Sequence, residues 1–221
     1  MIRIDNVTKT YKKGDNIVKA LDNVSLTASK GEFMVVKGSS GCGKTTLLLA
    51  AGGLLHPNEG KIYINNQDLY NLSSQEMAEF RSVNIGFVFQ QYHLIPYLSI
   101  LENVTVPSLA HKTKIAENHA IELIDDLGLK ERMHHIPGEL SAGEKQRTAL
   151  ARALLYKPKV ILADEITGNL DNKNSSIVLA KLKEFTKTGG TVMLVTHDEK
   201  AFAFADRIIE MGEQKMEIFN A

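Results

Sequence analysis

A glycine-rich segment between an apolar run and a helix-forming run most constrains the fold of this chain. Residues 38–45 read GSSGCGKT and match the pattern G-x-x-x-x-G-K-[ST] at every specified position. The run FMVV at residues 33–36 predicts a buried strand before this segment, and residues 44–54 predict a helix after it. The segment therefore predicts a loop whose backbone N–H groups surround a phosphate at a helix N-terminus. A chance glycine-rich turn is the alternative, and the flanking elements argue against it.

Strands and helices alternate along most of the remaining sequence. Strands are predicted at residues 2–11, 17–28, 61–65, 85–89, 159–164 and 191–196, helices at 74–83, 173–187 and 199–205, and a short strand pair at 207–219. Residues 100–157 have a mostly helical pattern, with a loop near 132–140. The alternation predicts an α/β fold with a mostly parallel sheet, and the helical block predicts a lobe inserted into it. In such sheets ligands bind at the carboxyl ends of the strands, where residues 38–45 fall.

The composition excludes several classes of protein. Hydrophobic residues make up 43% of the 221 residues, enough for a packed core. The 26 basic and 26 acidic residues balance, which argues against a dedicated nucleic-acid-binding protein. The N-terminus has no signal-peptide pattern, and the most apolar stretch, residues 47–55, is far shorter than the roughly 20 residues of a membrane helix. We therefore expect a soluble, cytoplasmic protein without direct membrane insertion.

Cys42 is the single cysteine, so no internal disulfide can form, as suits a reducing compartment. Its place in the glycine-rich loop invites a redox-sensor hypothesis, but a small side chain that fits the loop is the favoured explanation.

Two acidic residues follow a second apolar run. Asp164 and Glu165 end the strand predicted at 159–164, and neighbouring strand residues point to opposite sides, so they can serve different roles. In phosphate-loop enzymes such an aspartate holds Mg²⁺ together with the hydroxyl at the position of Thr45, and the loop lysine, here Lys44, binds the β- and γ-phosphates. Glu165 would then orient or deprotonate the attacking water. A solvated turn at a strand end is the alternative.

A third motif, LSAGE at residues 140–144, has two compatible interpretations. Ser141 and Glu144 have the spacing of a capping box ahead of a helix that continues to Tyr156. A capped helix start with small residues is also a good binding surface for a phosphate.

The three motifs, in this order, resemble the ATPase subunit of ABC transporters, and the resemblance covers essentially the whole chain. Residues 140–147, LSAGEKQR, are similar to the ABC signature, usually LSGGQ followed by a glutamine–arginine pair. The resemblance implies a phosphate-loop NTPase (RecA-like) core with a mostly parallel sheet, an N-terminal antiparallel β subdomain and an inserted α-helical subdomain. Residues 1–91 and 158–221 would form the core with the β subdomain, and residues 92–157 the helical subdomain carrying the signature.

The same resemblance implies the ligands and their binding residues. Two chains would form a homodimer around two Mg-ATP, the signature of each facing the ATP held by the other. The implied ATP-binding residues are Tyr11, which would stack on adenine, and Gly38, Ser39, Ser40, Gly41, Cys42, Gly43, Lys44, Thr45, Thr46, Gln90, Ser141 and Gly143. Thr45, Gln90 and Asp164 would hold Mg²⁺, and Glu165, His197 and Lys44 would be the catalytic residues. Gln91, next to Gln90, leaves the Q-loop assignment open, and residues 168–171 match the D-loop.

Two positions depart from the family pattern. Ala142 replaces the usual first glycine of the signature. If that position needs positive φ or a close backbone approach, alanine costs about 1 kcal/mol or more in strain. Ile166 replaces the proline that usually follows the catalytic glutamate, which predicts a looser turn. Neither change removes a catalytic group, so we expect an active ATPase, and one with slow turnover if Ala142 is strained.

Several stretches resemble the small bacterial ATPases that work with lipoprotein-releasing, macrolide-exporting, peptide-antibiotic-resistance, haem-exporting and cell-division permeases. They are residues 86–91, 94–98, 101–104 and 163–171. The resemblance implies an integral-membrane permease as partner and a peripheral location on the inner face of the cell membrane. Residues 91–109 are the expected docking segment, with packing inside the helical lobe as an equal alternative.

Three alternatives differ in function. A cell-division-type ATPase would signal across the membrane without transport, and the sequence does not separate it from an exporter. A soluble ABC ATPase of repair or translation usually carries duplicated cassettes, coiled coils or zinc insertions. The single compact cassette predicted here argues against that alternative. A phosphate-loop kinase would leave Ser141 and His197 unexplained.

Overall fold

Ten strands and six α-helices follow one another along the described part of the chain. The structure, a computed structural model, describes residues 1–14, 16–109, 117–212 and 216–220. The strands are β1 (Ile2–Lys13), β2 (Asn16–Ala28), β3 (Phe33–Lys37), β4 (Glu59–Ile64), β5 (Gln67–Asp68), β6 (Ile85–Phe89), β7 (Val160–Asp164), β8 (Thr191–Val195), β9 (Arg207–Met211) and β10 (Met216–Asn220). The helices are α1 (Lys44–Ala51), α2 (Ser74–Asn84), α3 (Ile100–Thr105), α4 (Glu117–Asp126), α5 (Ala142–Leu154) and α6 (Asn172–Lys187).

The larger sheet is mostly parallel, as predicted. Its order is β10-β9-β3-β8-β7-β6, and only the β9–β10 pair is antiparallel. Alternate residues of its central strands enter two separate hydrophobic clusters, because side chains along a strand point to opposite faces. In β3, Phe33 and Val35 join the cluster that contains Leu150 of α5, whereas Met34 and Val36 join the cluster on the α1 side. Both faces are therefore covered, as parallel sheets require.

A second, antiparallel sheet covers the outer side of α1. Its order is β2-β1-β4-β5, and its inward residues Ile2, Ile4 and Ile62 share one cluster with Leu47 and Leu48 of α1. Helix α1 therefore lies between the two sheets. This arrangement confirms the expected α/β class with an N-terminal antiparallel sheet.

The helical block of the sequence lies between β6 and β7. It contains α3, α4 and α5, with 3₁₀ turns at Val106–Leu109, Lys130–Arg132 and Pro137–Glu139. Its apolar side chains, such as Ile100, Ile124 and Leu150, belong to the same cluster as one face of the large sheet. The boundaries 92 and 157 of a separate helical subdomain stay a prediction, and residues 110–116 lie outside the described ranges.

Three elements differ from the sequence-based prediction. The helix predicted over residues 44–54 ends at Ala51, because Gly52 and Gly53 follow and Gly53 has a φ of 65°. The helix predicted over 199–205 is the 3₁₀ helix Glu199–Phe204, and the two-residue strand β5 was not expected. Among the described residues, no helix combines the length and the apolar character that crossing a membrane requires.

Candidate functional site

The loop between β3 and α1 has the backbone that a phosphate cradle needs. Gly43, which immediately precedes α1, has a φ of 102°, and a Cβ there would lie less than 3.0 Å from the carbonyl oxygen of Ala20. A Cβ on Gly38 would lie less than 3.0 Å from the carbonyl oxygen of Met211. Only glycine satisfies both positions without moving backbone. The loop can therefore wrap closely around an anion at the N-terminus of α1.

Lys44 lies at the centre of this loop. Its side chain is buried, with 8% of the residue exposed, and its Nζ donates to the carbonyl oxygens of Gly38 and Ser39, each at 2.8 Å. An ammonium group has three N–H donors, so the third remains available to a ligand. A buried ammonium group with a donor still available favours an anion as the ligand.

Thr45 and Asp164 supply oxygen atoms beside the loop. The Thr45 hydroxyl donates to Asp164 Oδ2 at 3.0 Å and lies 3.3 Å from Oδ1. Burial raises the pKa of Asp164, which its hydrogen bond with Thr45 and the Lys44 charge oppose. Hydroxyl and carboxylate oxygens are the ligands that Mg²⁺ prefers, usually completed by phosphate and water oxygens. The pair supplies one hydroxyl and one carboxylate for such a site.

Glu165 turns back toward the end of β8. Its φ of 49° is in the left-handed region, and its N–H donates to the carbonyl oxygen of Val195 at 2.9 Å. Glu165 Oε1 lies 2.9 Å from His197 Nδ1, and Oε2 accepts from the Thr196 hydroxyl at 3.0 Å and the His197 N–H at 3.4 Å. The strained backbone thus directs a carboxylate toward the phosphate loop.

The phosphate loop, Glu165 and His197 line one open cleft of about 620 Å³, and Asp164 lies behind Thr45, outside the lining. Its walls are formed by Ala20, Gly38, Ser39, Ser40, Gly41, Gly43, Lys44, Thr45, Thr46, Gln90, Glu165 and His197. Gln90 lines the cleft, whereas Gln91 is exposed outside it. The structure therefore favours Gln90 over Gln91 as the residue that reaches the ligand.

Four other predicted residues, Tyr11, Cys42, Ser141 and Gly143, are not part of the cleft lining. Tyr11 is on β1 opposite Val18, is exposed and has the Lys9 ammonium 5.6 Å from its ring centre. Cys42 is partly buried and packs against the α1-side cluster. Ser141 and Gly143 are at the start of α5, outside the cleft lining. Ala20 was missed by sequence reasoning, since its contact with the loop depends on how β2 packs beside α1.

The predicted capping box at residues 141–144 is confirmed. Ser141 Oγ accepts from the Glu144 N–H at 3.3 Å, and Glu144 Oε2 accepts from the Ser141 N–H at 2.8 Å. These hydrogen bonds, with the backbone one largest, hold the pKa of Glu144 below its usual value. The carboxylate is therefore ionised in the folded protein and stabilises the start of α5.

A neighbouring side chain leaves no room for a Cβ at Gly143. It is buried, and a Cβ there would lie less than 3.0 Å from three side-chain atoms of Asn174. Asn174 is itself held in place, because its N–H and Nδ2 donate to the two carboxylate oxygens of Asp171 at 2.7 and 2.8 Å, and its Oδ1 accepts from Arg147. The D-loop residue Asp171 and the start of α5 are thus joined through one amide.

The structure describes both positions that depart from the family pattern. Ala142 is the first residue of α5 and does not have a positive φ, so the prediction of backbone strain at this alanine is wrong. Ile166 is buried in the core, and the turn around it is closed by a 3.4 Å hydrogen bond from Gly168 N–H to Glu165 O. An apolar side chain thus anchors the segment where the family has a proline ring, and a turn looser than the family's stays a prediction.

Comparisons with known proteins show the family to which this chain is related. The sequence profile of a family described as "ABC transporter" matches residues 21–168. Proteins named macrolide export ATP-binding/permease protein MacB are 42% identical in Burkholderia lata and 45% identical in Escherichia coli, each over 96% of this chain. These alignments span 31% and 33% of the relatives, so the chain corresponds to about a third of their length.

Solved structures of one ATP-binding cassette have the same fold over the whole chain. The dimeric structure of the bacterial ABC transporter cassette MJ0796 is 40% identical with a TM-score of 0.93, and each chain is covered completely. A dimeric post-hydrolysis state of MJ0796 bound to ADP and Pi is 39% identical with a TM-score of 0.92, again with complete coverage of both chains.

Proposed function

The chain belongs to the ABC transporter family, and we propose that it is the ATP-hydrolysing motor of a membrane exporter. It is an ATPase of this family and binds ATP with Mg²⁺. One observation carries the assignment of residues: the cleft of about 620 Å³ brings the phosphate loop, Lys44, Gln90, Glu165 and His197 together. A phosphate-loop kinase does not account for a glutamate and a histidine paired opposite the loop.

Each group in the cleft has a chemical role that follows from its position. The loop N–H groups and the remaining N–H of Lys44 bind the β- and γ-phosphates. Thr45 and Asp164, with Gln90 at the cleft wall, would hold Mg²⁺, and the ion would supply positive charge against the phosphate oxygens. Glu165 orients a water for in-line attack and takes its proton, and His197 donates a hydrogen bond to the γ-phosphate.

The proposed active unit contains two chains. Ser141 is exposed at the start of α5 and is absent from the cleft lining of its own chain, although its helix N-terminus suits a phosphate. A second copy supplies this surface to the γ-phosphate, which completes each site. The dimeric MJ0796 cassettes support this arrangement.

The proposed docking surface for an integral-membrane permease is the segment 91–109. Tyr97 and Leu109 are 76% and 89% exposed. Beside the segment is a groove of about 260 Å³ whose walls include Phe87, Phe89 and Tyr156. Large exposed apolar side chains next to an aromatic groove suit a protein interface.

Arg152 connects this surface to α5. Its guanidinium donates to the carbonyl oxygens of His93 and Tyr92 at 2.6 and 2.7 Å, and both of these residues have positive φ. Arg152 therefore ties the start of the docking segment to α5, the helix that begins at the signature. In the proposed helical subdomain, residues 92–157, the two would move together. We propose that the protein is peripheral on the inner face of the cell membrane through this contact. A cell-division-type ATPase that signals without transport uses the same surface and is the second candidate.

The catalytic proposal is tested by ATP hydrolysis of the purified chain. We expect Lys44→Ala to lose ATP binding, and Glu165→Gln to keep ATP binding but lose turnover by at least a hundredfold. Glu131→Gln, an exposed glutamate at a distance in sequence from the motifs, is the matched control. Full turnover by Glu165→Gln would refute the role of Glu165.

The dimer and the partner are tested with the same variant. Light scattering of Glu165→Gln at saturating Mg-ATP should report a dimer, and a monomer would contradict the two-chain site.

Capture from detergent-solubilised membranes should recover an integral protein. Tyr97→Ser should weaken this capture, whereas Val83→Ser, also at an exposed apolar residue, should not. Recovery of soluble partners alone would contradict the motor function, and the identity of a captured permease separates export from division control.

A further inference from the structure

The hydroxyl of Thr196 lies directly against the proposed general base. Thr196 follows β8, is fully buried, and its N–H donates to the carbonyl oxygen of Val36 at 3.1 Å. The backbone of Thr196 is therefore fixed to the strand that leads into the phosphate loop. Its side chain has little freedom, because a β-branched residue has few rotamers.

The hydrogen-bond pattern fixes the direction of the single hydroxyl proton. Thr196 Oγ1 accepts from the Asp198 N–H at 3.0 Å, which uses one of its lone pairs. Its own proton is then free to point to Glu165 Oε2, 3.0 Å away. The hydroxyl thus acts as a preset donor to one oxygen of the carboxylate.

The two oxygens of Glu165 are held by partners of different mobility. Oε1 is held by His197, whose side chain is 72% exposed and which the proposed mechanism assigns to the γ-phosphate. Oε2 is held by the buried Thr196. When His197 turns to the phosphate, Thr196 is the side-chain contact that continues to orient the carboxylate.

We propose that Thr196 is a positioning residue for ATP hydrolysis: it holds Glu165 Oε2, so that Oε1 faces the attacking water once His197 has turned to the γ-phosphate. This inference rests on the proposed function, in which Glu165 is the general base. Thr196 itself does not touch ATP. Its removal affects the chemical step and leaves binding of ATP intact.

The test compares Thr196→Val, which removes the hydroxyl at nearly constant shape, with Thr196→Ser, which keeps it. We expect Thr196→Val to lower kcat by about tenfold or more with KM unchanged, since the lost hydrogen bond is made to a charged group whose orientation sets the reaction geometry. Thr196→Ser should stay within about threefold of the parent kcat. Thr191→Val is the matched control, because Thr191 is a buried threonine on β8 that donates to Ser29 O at 2.8 Å.

A second comparison separates positioning from a structural effect. In the Glu165→Gln background, single-turnover hydrolysis should be the same with and without Thr196→Val, because the carboxylate that Thr196 orients is gone. Equal losses from Thr196→Val in both backgrounds, or a kcat unchanged by Thr196→Val in the parent chain, would overturn the inference. If Glu165→Gln itself hydrolyses ATP at the parental rate, the proposed general base fails first.

Discussion

Replacement of Gly143 by alanine tests whether the start of α5 is held by one neighbouring amide. The new Cβ would lie less than 3.0 Å from Asn174 Cγ, Oδ1 and Nδ2, a distance that real side chains do not adopt. Asn174 must move, which stretches its 2.8 Å hydrogen bond to Asp171 and its hydrogen bond from Arg147. Overpacking costs about 1–3 kcal/mol and each weakened hydrogen bond to a charged group about 1 kcal/mol, so we expect a loss of roughly 3 kcal/mol in the free energy of unfolding.

Removal of the obstructing side chain should reverse most of this loss. Asn174→Ala alone should cost about 1–2 kcal/mol through its lost hydrogen bonds. The double variant should be close to Asn174→Ala, which corresponds to a coupling free energy of about 2–3 kcal/mol between the two positions. The assay is urea unfolding followed by circular dichroism, with ΔG extrapolated to water.

The matched control is Gly138→Ala in the same lobe. Gly138 lacks a positive φ, and within the described part of the chain an added Cβ there meets open space. Its cost should stay within about 0.5 kcal/mol. Additive effects of Gly143→Ala and Asn174→Ala would refute the steric argument, as would equal costs at Gly138 and Gly143.

The other predictions concern the same helix and the phosphate loop. Ala142→Gly should not raise ATP turnover and should lower stability by up to about 1 kcal/mol, because Ala142 already has helical backbone; faster turnover in a coupled-enzyme assay would contradict this. Lys44→Met should prevent ATP from raising the thermal unfolding midpoint, while parental protein shows a rise that increases with ATP concentration. The pKa of Glu144 is depressed below its usual 4.5, first by the Ser141 N–H, so its stabilising effect is present above pH 4.5 and is lost as pH falls through the folded value. The stability gap between the parental protein and Glu144→Gln should therefore shrink on acidification, and a gap independent of pH would exclude this linkage.

Most of the fold followed from two regular features of the sequence. The phosphate-loop pattern fixed the β3–loop–α1 unit, and the alternation of apolar runs with amphipathic segments indicated the parallel sheet. The helix end at Ala51 was misplaced, because apolar residues continue to Leu55 while the backbone already leaves the helix at Gly52 and Gly53. The periodicity of apolar residues alone does not show where this helix ends.

The site was predictable where it is local in sequence and less so where it depends on packing. Asp164 and Glu165 could be assigned from their place at a strand end. The strain expected at Ala142 was wrong because it was carried over from the family's glycine, whereas the capping box already indicated a helix start at this residue. The contacts of Ala20 and Asn174 escaped prediction, since each joins segments that are distant along the chain.

The burial of α1 between two sheets has a consequence for hydrogen exchange. Its core residues Leu47, Leu48, Ala50 and Ala51 are inaccessible, and neither sheet can separate from the helix without exposing a common hydrophobic cluster. The amide protons of α1 are therefore expected to exchange with solvent only through global opening, the slowest class in a protein. A ligand bound at the first turn of α1 is therefore expected to slow amide hydrogen exchange in both sheets that pack on the helix. The extent of this slowing measures how cooperatively the domain unfolds.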